Sequence, residues 1–172
     1  MADFEPAYSG TILNEGGYKL TDNKNDRGGL TYAGISRKMN PQWAGWALID
    51  EGSEVPADMV RVFYQQGWWD PLLLDQVEDQ RVAETLYDFA INSSAWGHPK
   101  VAAQLAQLVV GTTPDGSFGP KTIAALNAYN PDLFMARYAL VKLARYRDIV
   151  TNDRTQMTNI LGWINRLLRE AV

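Results

Sequence analysis

The chain lacks cysteine altogether and has a single histidine, His98. Without cysteine, disulfides, thiolate nucleophiles and cysteine-bound zinc are all excluded. One histidine cannot build a multi-histidine metal site. Because His98 stands directly before Pro99, we interpret it as a capping or surface residue rather than as a catalyst.

A basic surface is also missing, since the formal net charge is −4. Nucleic-acid binding needs lysines and arginines that neutralise phosphates, so this balance argues against such a partner. A negative net charge also offers no general attraction to anionic membranes. No segment reaches the uninterrupted apolar length that a membrane span requires. We therefore expect neither nucleic-acid binding nor membrane insertion.

A secretory signal is the third missing feature. The first residues, MADFEPAYSG, do not combine a basic region with a following apolar region. This predicts synthesis in a cytoplasm. A target outside the membrane would then require something else to carry or release the protein.

What is present suits one globular domain, since 46% of the 172 residues are hydrophobic. Helical spacing of apolar residues covers most of the chain, whereas turn formers in residues 18–32 predict two short strands around a polar loop. The predicted fold class is mostly α with one small β-hairpin. Helices are predicted over residues 3–14, a short stretch from Asn40–Pro41, 56–64, 79–92, 101–110, 120–129, 131–148 and 155–169.

The composition changes near residues 96–99. Aromatic residues and loops are dense before this point, and regular, alanine-rich helices follow it. We place a boundary there, between a region of residues 1–95 and a helical region of residues 96–172. No Gly/Ser-rich linker separates them, so we expect the two regions to pack together as one globule.

One stretch, residues 13–36 (LNEGGYKLTDNKNDRGGLTYAGIS), concentrates candidate catalytic groups. Glu15 follows Ile12 and Leu13 at the predicted end of a helix, where the negative end of the dipole and partial burial both raise a carboxyl pKa. A raised pKa lets a carboxyl hold a proton near neutrality, as a general acid for glycosidic cleavage must. The alternative is that Glu15 is a solvated residue before a helix cap, and its position alone favours neither interpretation.

A second group beside the acid is expected on the hairpin. Asp26 and Thr31 flank the pair Gly28-Gly29, and a hairpin folding back over the helix end would bring both toward Glu15. Asp22 competes for the role of Asp26, and on spacing alone a turn-forming role describes either aspartate better than a catalytic one. From spacing alone the two aspartates stay open as alternatives.

Several short motifs follow one another in a fixed order along the chain. They are Glu15-Gly16-Gly17-Tyr18, Asp26-x-Gly-Gly-x-Thr31, Gly34-Ile35, Val55-Pro56, Trp68-Trp69-Asp70-Pro71 and Asp88-Phe89-Ala90-Ile91-Asn92. This ordered set resembles glycoside hydrolase family 108, the N-acetylmuramidases of the lysozyme superfamily. The resemblance covers nearly the whole chain, and a segment over residues 105–122 is similar to the predicted peptidoglycan-binding region that ends these proteins.

The resemblance implies a lysozyme-like fold and hydrolysis of the β-1,4 bond between N-acetylmuramic acid and N-acetylglucosamine. Glu15 is then the general acid. Asp26 stabilises positive charge or activates water, and Thr31 positions that water. No metal or organic cofactor is implied. The implied partner is bacterial peptidoglycan, and the implied setting is a monomeric phage or prophage endolysin that reaches the wall through holin-made lesions.

Substrate contacts are predicted at Tyr18, Tyr32, Asn92 and Trp96. Trp96 follows Asn92 in a loop, which makes it the tryptophan best placed to face a sugar. In related sequences a glycine tends to stand two residues after the asparagine, where this chain has Ser94. We assign three other tryptophans to the core instead: Trp43, Trp46 and Trp163.

The basic residues of the C-terminal helices are better explained as a solvated face than as contacts to anionic wall polymers. Three other functions stay open on the sequence. A lytic transglycosylase would break the same bond without water. A non-catalytic module would bind the wall through the Asp115-Gly116 region and aromatic residues. A virion or secretion-linked structural protein would keep the fold without the activity.

Overall fold

The computed structural model describes residues 1–14, 16–23 and 29–171. Glu15 and Asp26, the two predicted catalytic carboxylates, lie outside the described residues. The helices are α1 (Phe4–Asn14), α2 (Gly45–Asp50), α3 (Ala57–Tyr64), α4 (Gln80–Ser93), α5 (Lys100–Val110), α6 (Pro120–Asn127), α7 (Pro131–Asn152) and α8 (Ile160–Ala171). Shorter helical turns are a π-helical turn at Gln65–Trp69 and 3-10 turns at Asp70–Leu72, Leu74–Gln76 and Arg154–Asn159.

The predicted mostly α fold with a small β element is confirmed. The sheet is antiparallel, in the order β1 (Leu20–Asn23), β2 (Gly29–Tyr32) and β3 (Ile35–Ser36). β3 adds a third strand to the predicted hairpin. Ala33 and Gly34 connect β2 to β3, and both have positive φ, 48° and 78°. Positive φ at both central residues is what a tight type I′ hairpin requires.

Capping residues begin and end the helices largely where turn chemistry predicts. The N–H of Gly17 donates to the carbonyl of Ile12 at 2.9 Å, and Gly16 and Gly17 both have positive φ, so this glycine pair follows α1 as expected. The Asp79 side chain accepts hydrogen bonds from the N–H groups of Arg81 and Val82 and caps α4.

One predicted helix start is wrong. A helix was expected from Asn40–Pro41, but α2 begins at Gly45. The Asn40 carbonyl accepts the indole N–H of Trp46 at 2.8 Å and the N–H of Trp43 at 3.2 Å. These bonds, three and six residues apart, hold residues 40–44 in turns rather than in a regular helical ladder.

Helix α4 is the centre of the molecule. Its buried residues point to several sides, and α1, α5 and α7 all contact it. On one side Tyr87 meets Phe4 and Trp69 edge-on, at 5.7 Å from each ring. On another, Phe89 meets Tyr138 of α7 at 5.9 Å. One apolar core therefore extends from the N-terminal helix to the C-terminal helices.

Hydrogen bonds also join the earlier and later parts of the chain. Asn127 of α6 donates to the Gln76 carbonyl at 2.9 Å and accepts from the N–H of Glu78 at 3.1 Å. The Tyr138 hydroxyl donates to the Ala102 carbonyl. Of the helices in the described part of the chain, none is both long and apolar enough to cross a membrane.

Candidate active site

The sheet presents Thr31 and Asp22 to opposite sides. In the register, Thr31 is paired with Thr21 and Ser36, whereas Asp22 is paired with Leu30. Side chains alternate between faces along a strand, so Asp22 lies on the face opposite Thr31. This register separates the two residues, while Asp26 lies outside the described residues. The choice of Asp26 over Asp22 stays a prediction.

Thr31 is half-buried, and its hydroxyl donates to the Gly29 carbonyl at 3.1 Å. Its one proton is therefore committed to its own strand. The oxygen keeps its lone pairs, so toward a water molecule Thr31 would act as an acceptor.

Tyr18 joins a group of tyrosines beneath the sheet. Its hydroxyl lies 2.9 Å from that of Tyr8, and the Tyr8 ring lies 6.1 Å from the ring of Tyr64. Burial, reinforced by the bond to Tyr18, raises the pKa of Tyr8 well above its usual range. The Tyr64 hydroxyl donates to the carbonyl of Ala33 at 2.9 Å and so holds the tight β2–β3 turn.

A cleft of about 740 Å³ opens beside this turn. Its volume lies in the range of small-molecule sites. Among the described residues that line it, none carries a charge. Its walls come from the turn and β3, from residues 39–44, from one side of α3 and the π-helical turn, and from the end of α4 with the loop after it. Outside residues 39–44 the lining residues are Gly34, Ser36, Met59, Val62, Phe63, Tyr64, Gln66, Trp68, Ile91, Asn92, Ser94, Ala95 and Trp96. Aromatic rings form much of the wall, and amides and hydroxyls stand among them.

Of the predicted substrate contacts, Asn92 and Trp96 line this cleft directly. The Asn92 amide nitrogen donates to the Asp88 carbonyl at 2.7 Å, which leaves its side-chain oxygen as an acceptor. Ser94, where related sequences tend to have glycine, has extended backbone with φ −140°. Any residue adopts that conformation, so the serine causes no backbone strain there.

Trp96 is held by two contacts of its own and by a backbone bond of the residue that follows it, and it still shows 42% of its surface. Its indole N–H donates to the Phe63 carbonyl at 3.0 Å, and its ring stacks on that of Phe63 at 5.9 Å. The N–H of Gly97 donates to the Gly67 carbonyl at 3.0 Å. The indole is thus fixed in place with one surface exposed to the cleft.

Tyr32 does not line the cleft itself but supports a residue that does. Its ring stacks on Trp43 at 6.1 Å, and Trp43 in turn lines the cleft. Trp43 was predicted to be a core residue, and the structure corrects this: it is half-buried at the core edge with part of its surface in the cleft. Its ring lies over Gly45, where a Cβ would meet the indole at 2.3 Å.

The remaining tryptophans divide as follows. Trp46 is buried, as predicted. Trp163 was also predicted to be a core residue, but it is half-buried at the core edge, with its ring stacked on Tyr146 at 5.1 Å. Trp68 is 6% exposed and lines the cleft, and its indole nitrogen has no hydrogen-bond partner among the described residues. Sequence reasoning did not select Trp68 as a contact. The Gly67-Trp68-Trp69 run was the signal that could have found it.

The Asp115-Gly116 motif has an internal structural role. Gln107, buried in α5, donates to the Asp115 carboxylate at 2.8 Å and accepts from the N–H of Gly116 at 2.9 Å. Asp115 also accepts from the N–H of Ser117. These bonds stabilise the ionised form and hold the pKa of Asp115 below its usual value. The motif therefore shapes a loop on α5.

A helical frame, a small sheet and an uncharged aromatic cleft beside the β2–β3 turn suit a carbohydrate-binding protein, and comparison with known proteins identifies the class. The chain belongs to the glycosyl hydrolase 108 family, whose model matches residues 8–94. Residues 101–168 match the "Predicted Peptidoglycan domain". The chain is thus a glycoside hydrolase of a peptidoglycan-degrading type.

Among solved structures, the chain is similar to SagA of Brucella abortus. The two share 27% sequence identity with a TM-score of 0.68, over 98% of this chain and 91% of that one. No curated protein matched in the sequence comparison.

Proposed function

We propose that this protein is an N-acetylmuramidase, which hydrolyses the β-1,4 bond between N-acetylmuramic acid and N-acetylglucosamine in peptidoglycan. The observation that carries the proposal is the uncharged, aromatic-walled cleft beside the β2–β3 turn. Most of its lining lies in residues 8–94, which match the hydrolase family, while Ala95 and Trp96 follow that segment. Peptidoglycan as the substrate is supported by the domain matched at residues 101–168.

The cleft lining suits an N-acetylated sugar. The apolar faces of sugar rings pack on aromatic side chains, and an acetamido methyl group packs on apolar side chains, because both bury apolar surface. Trp96 supplies an exposed, fixed aromatic ring, and Trp43 supplies another that Tyr32 supports. The Asn92 side-chain oxygen accepts a hydrogen bond from a sugar hydroxyl or amide. Tyr18 lies outside the lining of this cleft, with its hydroxyl against that of Tyr8, and we keep it as a proposed contact of the glycan beyond the cleft.

Catalysis follows the two-group scheme of glycosidases. Glu15 donates a proton to the leaving oxygen, and Asp26 stabilises the oxocarbenium-like centre or activates water. Thr31 accepts a hydrogen bond from that water, because its own proton is given to the Gly29 carbonyl. In this scheme Thr31 orients the water and takes no part in proton transfer.

A digest of purified peptidoglycan tests the reaction. We expect products with new reducing N-acetylmuramic acid ends, identified by mass spectrometry after borohydride reduction. Anhydro-muramic ends would instead show a lytic transglycosylase. Binding without any new ends would show a non-catalytic wall-binding or structural protein. Either result would overturn the muramidase assignment.

The acid is tested with Glu15→Gln, which keeps the shape of the side chain and removes its titratable proton. We expect a rate loss of at least about 100-fold, in the range that general acid catalysis contributes. Glu51→Gln, at the exposed end of α2, is the matched control and should keep full activity. A Glu15→Gln enzyme that clears peptidoglycan at the wild-type rate would exclude Glu15 as the acid.

We further propose that the protein is a monomeric phage or prophage endolysin, made in the cytoplasm and released to the wall by a holin. Expression in a bacterial host with and without a co-expressed holin tests this role. Lysis that depends on both the holin and Glu15 supports it. Lysis at the same rate without a holin contradicts the release route.

A further inference from the structure

A second groove, of about 780 Å³, lies away from the aromatic cleft. Helix α4 forms its floor, α1 and α7 form its walls, and Arg169 of α8 also lines it. The walls include four small residues, which are Ala7 and Gly10 of α1 and Ala136 and Ala139 of α7. A Cβ at Gly10 would meet no atom within 4 Å, so this wall leaves open space.

The groove is charged, in contrast to the cleft. At one place Arg81 pairs with Asp132 of α7 at 2.9 Å. Glu84 and Asp88 follow along α4, one helical turn or about 6 Å apart. Asp88 lies 3.5 Å from Arg166. The carboxylates of Glu84 and Asp88 therefore line the floor, with an ion pair at each end of the row.

Arg169 is the cation available to a ligand. Its side chain is exposed and lines the groove. It has no ion-pair partner within residues 1–14, 16–23 and 29–169 of the structure. Arg81, by comparison, is already shared between Asp79 and Asp132. An incoming carboxylate would thus pair with Arg169 without breaking an existing ion pair.

A buried polar group also reaches the groove lining. Tyr87 is 1% exposed, and its hydroxyl faces Thr11 without a well-formed hydrogen bond to any described residue. The Thr11 hydroxyl donates its own proton to the Ala7 carbonyl at 3.2 Å. Buried hydroxyls without partners are uncommon in folded proteins. Because the hydroxyl oxygen itself is buried, a ligand group or a water in the groove reaches it only after a shift of the floor residues.

We propose that this groove binds the peptide stem of peptidoglycan, a short peptide with carboxylates and, on its diamino acid, an ammonium group. The proposal rests on the proposed function in that it takes peptidoglycan as the substrate. Arg169 pairs with a stem carboxylate, and Glu84 with Asp88 receives the ammonium group. The groove floor along α4, from Arg81 to Asp88, is about 10 Å long at the helical rise, which is the length of about three extended residues.

The position of the groove gives this binding a consequence. Its floor and one wall belong to the segment matched to the hydrolase family, and its other wall belongs to the segment matched to the peptidoglycan domain. A stem peptide held in the groove would attach the bacterial cell wall to both segments of the chain, while a glycan strand occupies the aromatic cleft. The groove then contributes affinity for the cross-linked cell wall without contacting the scissile glycosidic bond.

The test is a titration of the full chain with a synthetic stem tripeptide, alanyl-γ-D-glutamyl-diaminopimelate, followed by NMR chemical shifts. We expect saturable shifts at groove residues. Arg169→Gln and Glu84→Gln should each weaken the Kd by about tenfold or more, as loss of a charge-assisted bond does. Arg154→Gln, an exposed arginine outside the groove, is the matched control and should bind as wild type.

A second peptide, with alanine in place of the diamino acid, should bind weakly and lose its dependence on Glu84. No saturable binding of the first peptide at millimolar concentration would overturn the proposal. So would equal affinity of the wild type and both groove variants.

Glycan strands stripped of their stems by an amidase separate this proposal from the muramidase activity. Cleavage of stripped strands without tripeptide binding rejects the groove and leaves the activity standing. Tripeptide binding without cleavage of any glycan rejects the activity and leaves the groove standing.

Discussion

The indole of Trp96 lies directly against the backbone of Gly67. A Cβ placed on Gly67 would meet the indole Cδ1 at 2.6 Å and its nitrogen at 2.7 Å. Gly67 is in the π-helical turn Gln65–Trp69, two residues before Trp69 and four after Phe63, whose carbonyl receives the indole N–H. Single π-helical turns occur often at functional sites. Here the turn receives the aromatic residue that we assign to sugar binding.

The first prediction concerns this contact. Gly67→Ala forces the indole out of its position, so we expect the KM for soluble glycan strands to rise about tenfold with a smaller change in kcat. The added methyl group should also cost about 1–3 kcal/mol of stability through overpacking. Steady-state kinetics and thermal unfolding measure the two effects.

Gly162→Ala is the control for this substitution. Gly162 lies in α8, where an added Cβ meets nothing within 4 Å, and alanine in a helix is more stable than glycine by about 0.5–1 kcal/mol. We expect unchanged kinetics and a slightly higher Tm. Unchanged kinetics in Gly67→Ala would remove Trp96 from the proposed sugar site.

The second prediction distinguishes the two aspartates of the hairpin. Asp26→Asn should reduce turnover of peptidoglycan by about 100-fold or more, because it removes the charge that supports the oxocarbenium-like centre. Asp22→Asn should have little effect, since the register turns Asp22 away from Thr31. The same turbidity assay measures both variants. A greater loss in Asp22→Asn would reverse the assignment.

The third prediction concerns the hydroxyl of Thr31. Thr31→Val keeps the shape but removes the oxygen that accepts a bond from water, so kcat should fall about tenfold with little change in KM. Thr31→Ser keeps the hydroxyl and should recover most of the loss. If valine and serine variants are equally active, the hydroxyl does not orient the water.

The fourth prediction concerns acid stability. The bond from Arg81, with the N–H groups at the start of α4, holds the pKa of Asp79 below its usual value. A carboxyl with a lowered folded-state pKa stabilises the protein above its unfolded pKa of about 3.9, and this stabilisation is lost as pH falls through the folded pKa.

Thermal unfolding between about pH 6 and pH 2 measures this effect. Asp79→Asn keeps a capping oxygen and should flatten part of the decline in stability below about pH 4. Asp79→Ala should lose about 1 kcal/mol at neutral pH, because it removes the cap as well. An unchanged acid profile in Asp79→Asn would show that this carboxylate contributes nothing to acid unfolding.

Much of the frame could be predicted from sequence because its signals are local. Apolar spacing predicted α4, and Gly16 and Gly17 predicted the end of α1. The start of α2 was missed, since bonds from Trp43 and Trp46 to the Asn40 carbonyl replace the expected helical turn. Side-chain competition of that kind leaves little trace in periodicity.

Residues 13–36, around Glu15, are therefore the part of this protein whose function could be inferred most directly from the sequence. Residue order and glycine positions indicated a glycosidase and its family, and the family match agrees. The tertiary structure decided what lies around that stretch: Trp43 at the edge of a cleft, Trp96 on Gly67, and a charged groove between α1, α4 and α7. The physical reason is distance along the chain. Gly67 and Trp96 are 29 positions apart in the chain, and Thr11 and Arg169 are much farther apart. Only the packing of the whole core brings the two residues of each pair together.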